Sequence, residues 1–214
     1  MELEMERCDM AIVTDIRERR GIIEIEADGA TIARVRKAHF LKCPLAGGEA
    51  FDPEAYLDRV AAIQFPDAYE AALSSLDYCA RSARELSNAL RRKGYVEPVI
   101  AAVTERLMEN GLIDDARYAS RMAEVQSAKP VGLYAFKRRL RAKGISDEDA
   151  EEALSAFDED QQRQAAALAA EKLWHKYEAL PPREARAKLS QALARRGFSW
   201  DAIDSAVEAL SEEE

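Results

Sequence analysis

Lys129 to Gly144 reads KPVGLYAFKRRLRAKG and carries Lys129, Lys137, Arg138, Arg139, Arg141 and Lys143 without one acidic residue. It lies in a chain of 214 residues whose formal net charge is -9. Leu133, Phe136 and Leu140 fall at i, i+3 and i+7, the spacing of a single buried helix face. Tyr134, Lys137, Arg138 and Arg141 share the neighbouring face, and Arg139 falls on the other side of the apolar stripe. Gly144 follows as a C′ glycine that ends a helix. The spacing predicts a helix over 131–143 with one side in a core and one side presenting cations.

The same segment recurs. Leu90-Arg91-Arg92-Lys93-Gly94, Leu140-Arg141-Ala142-Lys143-Gly144 and Leu193-Ala194-Arg195-Arg196-Gly197 align, with their glycines 50 and 53 residues apart. The position eight before each glycine holds Leu86, Phe136 and Leu189; the one after holds Tyr95, Ile145 and Phe198; the thirteenth after holds Leu107, Phe157 and Leu210. Helical periodicity in three frames at once is the mark of an internal repeat. Start signals agree: Ser82 with Glu85 forms a capping box, Ser146 with Asp149 a variant of it, Ser199 can cap the last helix, and Pro98 and Pro181 suit first turns. The predicted helices are 67–80, 82–93 and 97–110, then 115–127, 131–143 and 147–157, then 159–178, 182–196 and 200–211. A unit of three short helices is not expected to cover its own apolar face, so the units should stack into an elongated array.

Residues 1–65 read differently. Ile23 and Ile25 alternate with Glu24 and Glu26, Asp28-Gly29 supplies a turn, and Thr31 to Arg36 resumes an extended pattern, which together predict a β-hairpin. Met10 to Ile16 is a third strand candidate. A short helix near 37–42, a Pro/Gly-rich connection and a helix over 53–64 follow, and a boundary is expected near Pro66. The expected organisation is a mainly α chain: a head over 1–65, then repeats over 66–112, 113–157 and 158–214.

Charge is polarised within the repeats. Residues 81–94 are basic apart from Glu85, whereas 145–160 contain acids and no base, and the chain ends in Glu212, Glu213 and Glu214. Lys93, Lys143 and Arg196 precede each glycine, where a cation complements the helix dipole. That account does not extend to Lys137, Arg138 and Arg139, which correspond to Ser87, Asn88 and Ala89 in the first repeat and to Ser190, Gln191 and Ala192 in the third. The fold needs no charge there, so Lys137, Arg138, Arg139 and Arg141 are binding candidates. Lys143, Arg91 and Arg92 in the first two repeats and Arg195 in the third extend the set. Tyr134 can stack on a base or pack on its neighbours. Trp174 and Trp200 are expected to anchor cores.

Other chemistry is not indicated. His39 and His175 have no ligand partner at i+3 or i+4, and Asp114 and Asp115 read as a helix cap. No Walker loop, G-x-S-x-G, H-E-x-x-H or GxGxxG occurs. Cys8, Cys43 and Cys79 show neither CxxC spacing nor even pairing, which fits a reducing cytoplasm. MELEMERCDM at the amino terminus has neither a basic n-region nor an apolar h-region, so neither export nor membrane insertion is expected. No enzyme activity, metal or cofactor is expected.

The repeat motifs resemble the RecX family of regulators of the RecA recombinase. The resemblance rests on the three Leu-x-x-Lys-Gly or Leu-x-x-Arg-Gly helix ends, on Gly111-Leu112-Ile113-Asp114-Asp115-Ala116-Arg117-Tyr118-Ala119, and on Gly132 to Ile145, and it covers nearly all of 68–211. Gly132-Leu133 and Phe136 depart from the family's usual Gly-Pro/Arg and aliphatic residue, and the family's overall basic excess is missing. The resemblance implies a non-enzymatic modulator, mostly an inhibitor, that lodges in the groove of a RecA filament on single-stranded DNA. It would limit the filament's ATP hydrolysis, strand exchange and growth, and so act in homologous recombination, DNA repair and the SOS response. The implied partners are the RecA filament and single-stranded DNA, with the chain acting as a cytoplasmic monomer. The alternative from the residues alone is a helix-turn-helix DNA-binding regulator, since arginine-rich second helices and glycine turns recur.

Overall fold

The computed structural model describes residues 10–127, 131–155 and 157–212. Cys8, Lys129, Glu213 and Glu214 lie outside these, as does the side chain of Glu212. The chain is mainly helical, with three three-helix repeats preceded by a small antiparallel sheet. It divides into two compact units between Ile113 and Asp114.

The first unit opens with strands β1 (Ala11–Arg19), β2 (Ile22–Ala27), β3 (Ala30–Arg36) and the two-residue β4 (Ala50–Phe51), in the spatial order β3-β2-β1-β4. Asp28 and Gly29 both have positive φ, 50° and 82°, the backbone a two-residue hairpin requires. Arg20 and Gly21 form a second such turn, at 52° and 78°. Arginine seldom signals a left-handed residue, so β1 runs past the expected end at Ile16 to Arg19. Ile23, Ile25, Ala33 and Val35 are buried, while Glu24 and Arg34 pair at 3.2 Å on the other face.

Helix α1 (Lys37–Phe40) follows, and α2 (Pro53–Tyr78) is started by Asp52, which accepts from the Glu54 and Ala55 amides at 2.9 and 3.1 Å. The break expected at Pro66 does not occur, because α2 passes through it. Tyr56, Val60, Gln64, Ala68 and Ala72 recur every four residues and are all buried. Burial of that stripe on both sides of Pro66 outweighs the lost hydrogen bond and steric cost of a helical proline, about 3 kcal/mol. Helices α3 (Ala83–Arg92) and α4 (Glu97–Glu109) complete the first repeat, and one continuous core joins it to the sheet.

In the second unit, α5 (Asp115–Ser127), α6 (Leu133–Ala142) and α7 (Asp147–Ser155) enclose Ala119, Ala123, Phe136, Leu140, Ile145 and Ala150. Helices α8 (Glu159–Trp174), α9 (Pro182–Arg195) and α10 (Trp200–Glu212) enclose Ala166, Ala170, Leu189, Leu193, Phe198 and Ile203. Each of these repeats therefore closes a core of its own, contrary to the expectation that a single unit could not. Alanines on the first and third helices are the reason, since small side chains let two short helices approach closely enough to bury a shared face.

The recurring glycines terminate the second helices with one motif. The amide of the residue after each glycine bonds back to the leucine carbonyl, Tyr95 to Leu90 at 3.4 Å, Ile145 to Leu140 at 3.1 Å and Phe198 to Leu193 at 3.4 Å. The glycine amides bond to Arg91, Arg141 and Ala194 at 3.0, 3.0 and 2.9 Å. This is a Schellman cap, which demands a left-handed residue at the glycine and favours an apolar contact across it. The φ values of 80°, 85° and 82° meet the first demand, and Leu90/Tyr95, Leu140/Ile145 and Leu193/Phe198, all buried, meet the second.

A polar network sits inside the first unit. His39, 1% exposed, places Nε2 at 2.7 Å from Asp67 Oδ2. That hydrogen bond holds the Asp67 carboxyl below the ordinary carboxylate range, against a smaller opposing effect of burial. A depressed carboxylate contributes stability above its unfolded pKa, near 4, and loses it as acid titrates the folded form. Urea denaturation of Asp67→Asn should accordingly show a shallower loss of stability than the parent chain between about pH 5 and 3. Equal slopes would show that the pair is not formed.

Candidate cationic interface

The α6 side chains are held by the helix that follows them. Lys137 Nζ reaches Glu151 at 2.8 Å, and Arg141 Nε reaches Asp147 at 2.6 Å, both acids belonging to α7. Its hydrogen bond from Arg141 lowers the pKa of Asp147, and Arg141 is raised in turn. Arg139 turns toward α5 and donates to Gln126 Oε1 at 3.1 Å. Lys143 donates to the Tyr118 hydroxyl at 2.9 Å and lies 5.3 Å from its ring centroid. Arg138 is exposed and has no ion pair among the described residues, and Tyr134 is 63% exposed. Of the six candidates on this helix, Tyr134 and Arg138 thus face solvent, while Lys137 and Arg141 are exposed or half-buried within internal ion pairs. Exposed pairs of this kind contribute little net stability, so they can be exchanged for an external anion.

In the first repeat, Arg91 donates to both carboxylate oxygens of Glu97, one of them at 2.7 Å, and to Asn88 at 2.6 Å. The Glu97 carboxyl is lowered by Arg91. Arg92 is exposed with no ion pair among the described residues, as are Arg195 and Arg196 in the third repeat. Asp114 caps α5 by accepting from the Arg117 amide at 2.8 Å, as its position suggested.

Within the second unit, α6 begins where α9 ends. The Gly132 amide donates to the Arg196 carbonyl at 3.1 Å and the Tyr134 amide to the Gly197 carbonyl at 3.0 Å, while Leu133 donates to Gln162 Oε1 at 3.2 Å. The orphan amides of the α6 N-terminus are thereby satisfied by the orphan carbonyls of the α9 C-terminus and by a buried glutamine. A Cβ on Gly132 would sit 2.1 Å from Gly197, and one on Gly197 would sit 2.2 Å from the Ala135 nitrogen. Only two glycines permit this contact. It brings Arg195 and Arg196 end to end with the helix that carries Lys137, Arg138 and Arg141. The sequence suggested stacking of repeats but could not show that backbone at the recurring glycine carries it. The head uses the same acceptor in the first unit: the Arg36 amide, ahead of α1, donates to the Gly94 carbonyl at 3.2 Å.

Trp200 overturns an expectation, for it is 65% exposed rather than a core anchor. As the first residue of α10 it precedes the buried face formed by Ala202, Ile203 and Ala206. Trp174 is half-buried against the core of the third repeat. His39, which lacked a partner in sequence, is paired by Asp67 from α2.

Family models for the first, second and third three-helix domains of RecX match residues 68–107, 114–154 and 159–207. A crystal structure of RecX from Lactobacillus salivarius is 31% identical, with 70% of this chain and 98% of that one covered and a TM-score of 0.62. The chain belongs to the RecX family. A second crystal structure, of the regulatory protein RecX, covers 95% of this chain and all of its own at 26% identity and a TM-score of 0.64. Among curated RecX regulatory proteins, that of Bacillus subtilis is 35% identical over 68% of this chain and 55% of its own length. That of Leuconostoc citreum is 27% identical over 92% of this chain and 74% of its own. The chain thus spans about half the length of the Bacillus subtilis RecX protein. Among the described residues no helix is long and apolar enough to cross a membrane.

Proposed function

We propose that this chain is a non-enzymatic regulator of the RecA recombinase, working in the cytoplasm as a monomer, with α2 shared between the head and the first repeat and further repeats over 113–157 and 158–214. It lodges in the groove of the RecA filament on single-stranded DNA and limits ATP hydrolysis, strand exchange and filament growth. The observation that carries this reading, beside family membership, is the end-to-end junction of α9 and α6. It joins the end of the helix that carries Arg195 and Arg196 to the start of the helix that carries Lys137, Arg138 and Arg141, in a chain whose net charge is -9. Cations collected on a track suit a polyanionic filament, and binding should weaken steeply with salt. Lys143 and Arg139 belong to the same interface in this reading, and Arg91 and Arg92 are binding candidates of the first unit by itself.

Replacing Lys137, Arg138 and Arg141 together by Glu should abolish inhibition of single-stranded-DNA-dependent RecA ATPase. The circular dichroism spectrum should be retained, because these side chains lie outside the core. Inhibition undiminished by the triple change would sink the proposal. Footprinting on duplex DNA should show no preferred sequence, whereas a helix-turn-helix regulator would protect one.

A further inference from the structure

The three repeats are internal controls for one another, and they expose a departure in the third. Three residues before each glycine stand Arg91, Arg141 and Ala194; three residues after stand Glu97, Asp147 and Trp200. In the first two repeats these positions form the Arg–carboxylate pairs described above, Arg91 with Glu97 and Arg141 with Asp147. In the third both charges are gone, and an indole 65% exposed stands in the place of the acid. The fold closes its other two caps with an ion pair there, so it has no need of a tryptophan. Arg195 and Arg196 are exposed and have no ion pair among the described residues.

A second aromatic side chain belongs to the same place. Tyr134, 63% exposed, is tied through its amide to the Gly197 carbonyl at 3.0 Å. Three residues separate Gly197 from Trp200, so covalent geometry limits the Tyr134 and Trp200 Cα atoms to about 15 Å apart or less. Arg138 follows Tyr134 at i+4 on the same helix face, exposed and without an ion pair among the described residues. Asp204 lies one turn beyond Trp200 and Asp201 next to it, both exposed, and they bound the patch on the α10 side. Two exposed rings and three guanidinium groups without ion pairs among the described residues thus belong to the helix ends around one junction, a set of groups that suits a ligand at once aromatic and polyanionic. Unpaired nucleic acid is that ligand, since bases free of a duplex can stack on side-chain rings while arginines take the phosphates.

We propose that Trp200 and Tyr134, with Arg138, Arg195 and Arg196, form a stacking platform for single-stranded nucleic acid at the α9–α6 junction. This rests on the filament reading above and names the side chains that touch unpaired bases. The chain contains two tryptophans, so Trp174→Phe leaves Trp200 as the only indole. In that background, titration of the full chain with an oligothymidylate at low salt should quench tryptophan emission. Trp200→Ala and Tyr134→Ala, made in the otherwise unaltered chain and followed by oligonucleotide anisotropy, should each weaken binding about 5- to 100-fold. Their melting temperatures and salt slopes should stay unchanged, and Trp200→Phe should retain most of the affinity. Absence of quenching together with unaltered affinity of Trp200→Ala would overturn the platform. So would equal quenching by duplex DNA or by a polyglutamate of matched charge, the latter marking the patch as one for an acidic peptide. RecA ATPase inhibition separates this failure from that of the wider reading. If Trp200→Ala binds oligothymidylate normally while the Lys137/Arg138/Arg141 triple change abolishes inhibition, only the platform falls.

Discussion

Replacing Gly132 by Ala should lower the stability of the second unit by about 2–4 kcal/mol, the upper range for forcing extra volume into a packed site. The new methyl group would lie 2.1 Å from both the carbonyl carbon and the oxygen of Gly197 and 2.2 Å from the Phe198 nitrogen. All three are backbone atoms within a Schellman cap, so no flexible side chain can swing aside. The junction must open, and the amides of Gly132, Leu133 and Tyr134 then lose their acceptors in Arg196, Gln162 and Gly197. Gly197→Ala should cost more than Gly132→Ala, because its φ of 82° adds the strain of a left-handed alanine, about 1–2 kcal/mol, to a clash with Ala135. Both tryptophans belong to the second unit, so their emission in a urea titration reports on it directly. The loss should be larger for Gly197→Ala than for Gly132→Ala. A Gly132→Ala chain as stable as the parent would mean that the helix ends do not meet as described.

The same glycines show how far the sequence was legible. Their spacing disclosed three repeats, and the leucine before and apolar residue after each one mark the Schellman cap that the structure contains. Periodicity placed α5 at its observed bounds and most other helices to within a residue or two, since an apolar stripe and a capping residue are local signals. The periodicity predicts α8 to 178 whereas it ends at Trp174, because polar and apolar residues beyond it continue a helical pattern without a breaker until Pro181. Pro66 failed as a boundary because the stripe from Tyr56 to Ala72 buries against non-local partners that a local reading does not see. The interface was legible as composition but not as geometry. Lys137 and Arg141 are engaged by Glu151 and Asp147, acids 14 and 6 residues away in the chain, and such pairing follows from how α6 leans on α7. The signal that would have found Trp200 was present in the repeat alignment: an aromatic residue where Glu97 and Asp147 stand cannot be explained by the shared fold.

Gln64→Leu should destabilise the first unit by about 2–4 kcal/mol although it preserves volume and is apolar. Gln64 is fully buried in α2, at the centre of the contact between sheet, α1 and the first repeat. Its amide nitrogen donates to the Gly94 carbonyl at 3.0 Å and lies 3.5 Å from His39 Nδ1, and its oxygen accepts from the Val96 amide at 2.8 Å. Leucine would leave the Val96 amide without that acceptor and His39 Nδ1 without that donor, each a buried polar group costing about 1–3 kcal/mol. The Gly94 carbonyl would keep the Arg36 amide, so the loss there is smaller. A Glu at position 64 distinguishes this account from simple loss of packing. Its ionised carboxylate can accept from Val96 but faces the Gly94 carbonyl with no proton to give, so its folded pKa is raised by burial and by that oxygen. Protonation restores a donor, and the deficit of Gln64→Glu relative to the parent should therefore shrink as pH falls from that raised folded pKa to the unfolded glutamate value of about 4, whereas that of Gln64→Leu should not. Calorimetry of the first unit's transition, with tryptophan emission from the second unit as internal reference, measures both. A Gln64→Leu chain as stable as the parent would show that the glutamine merely fills space, and that the head is held to the first repeat by its apolar core alone.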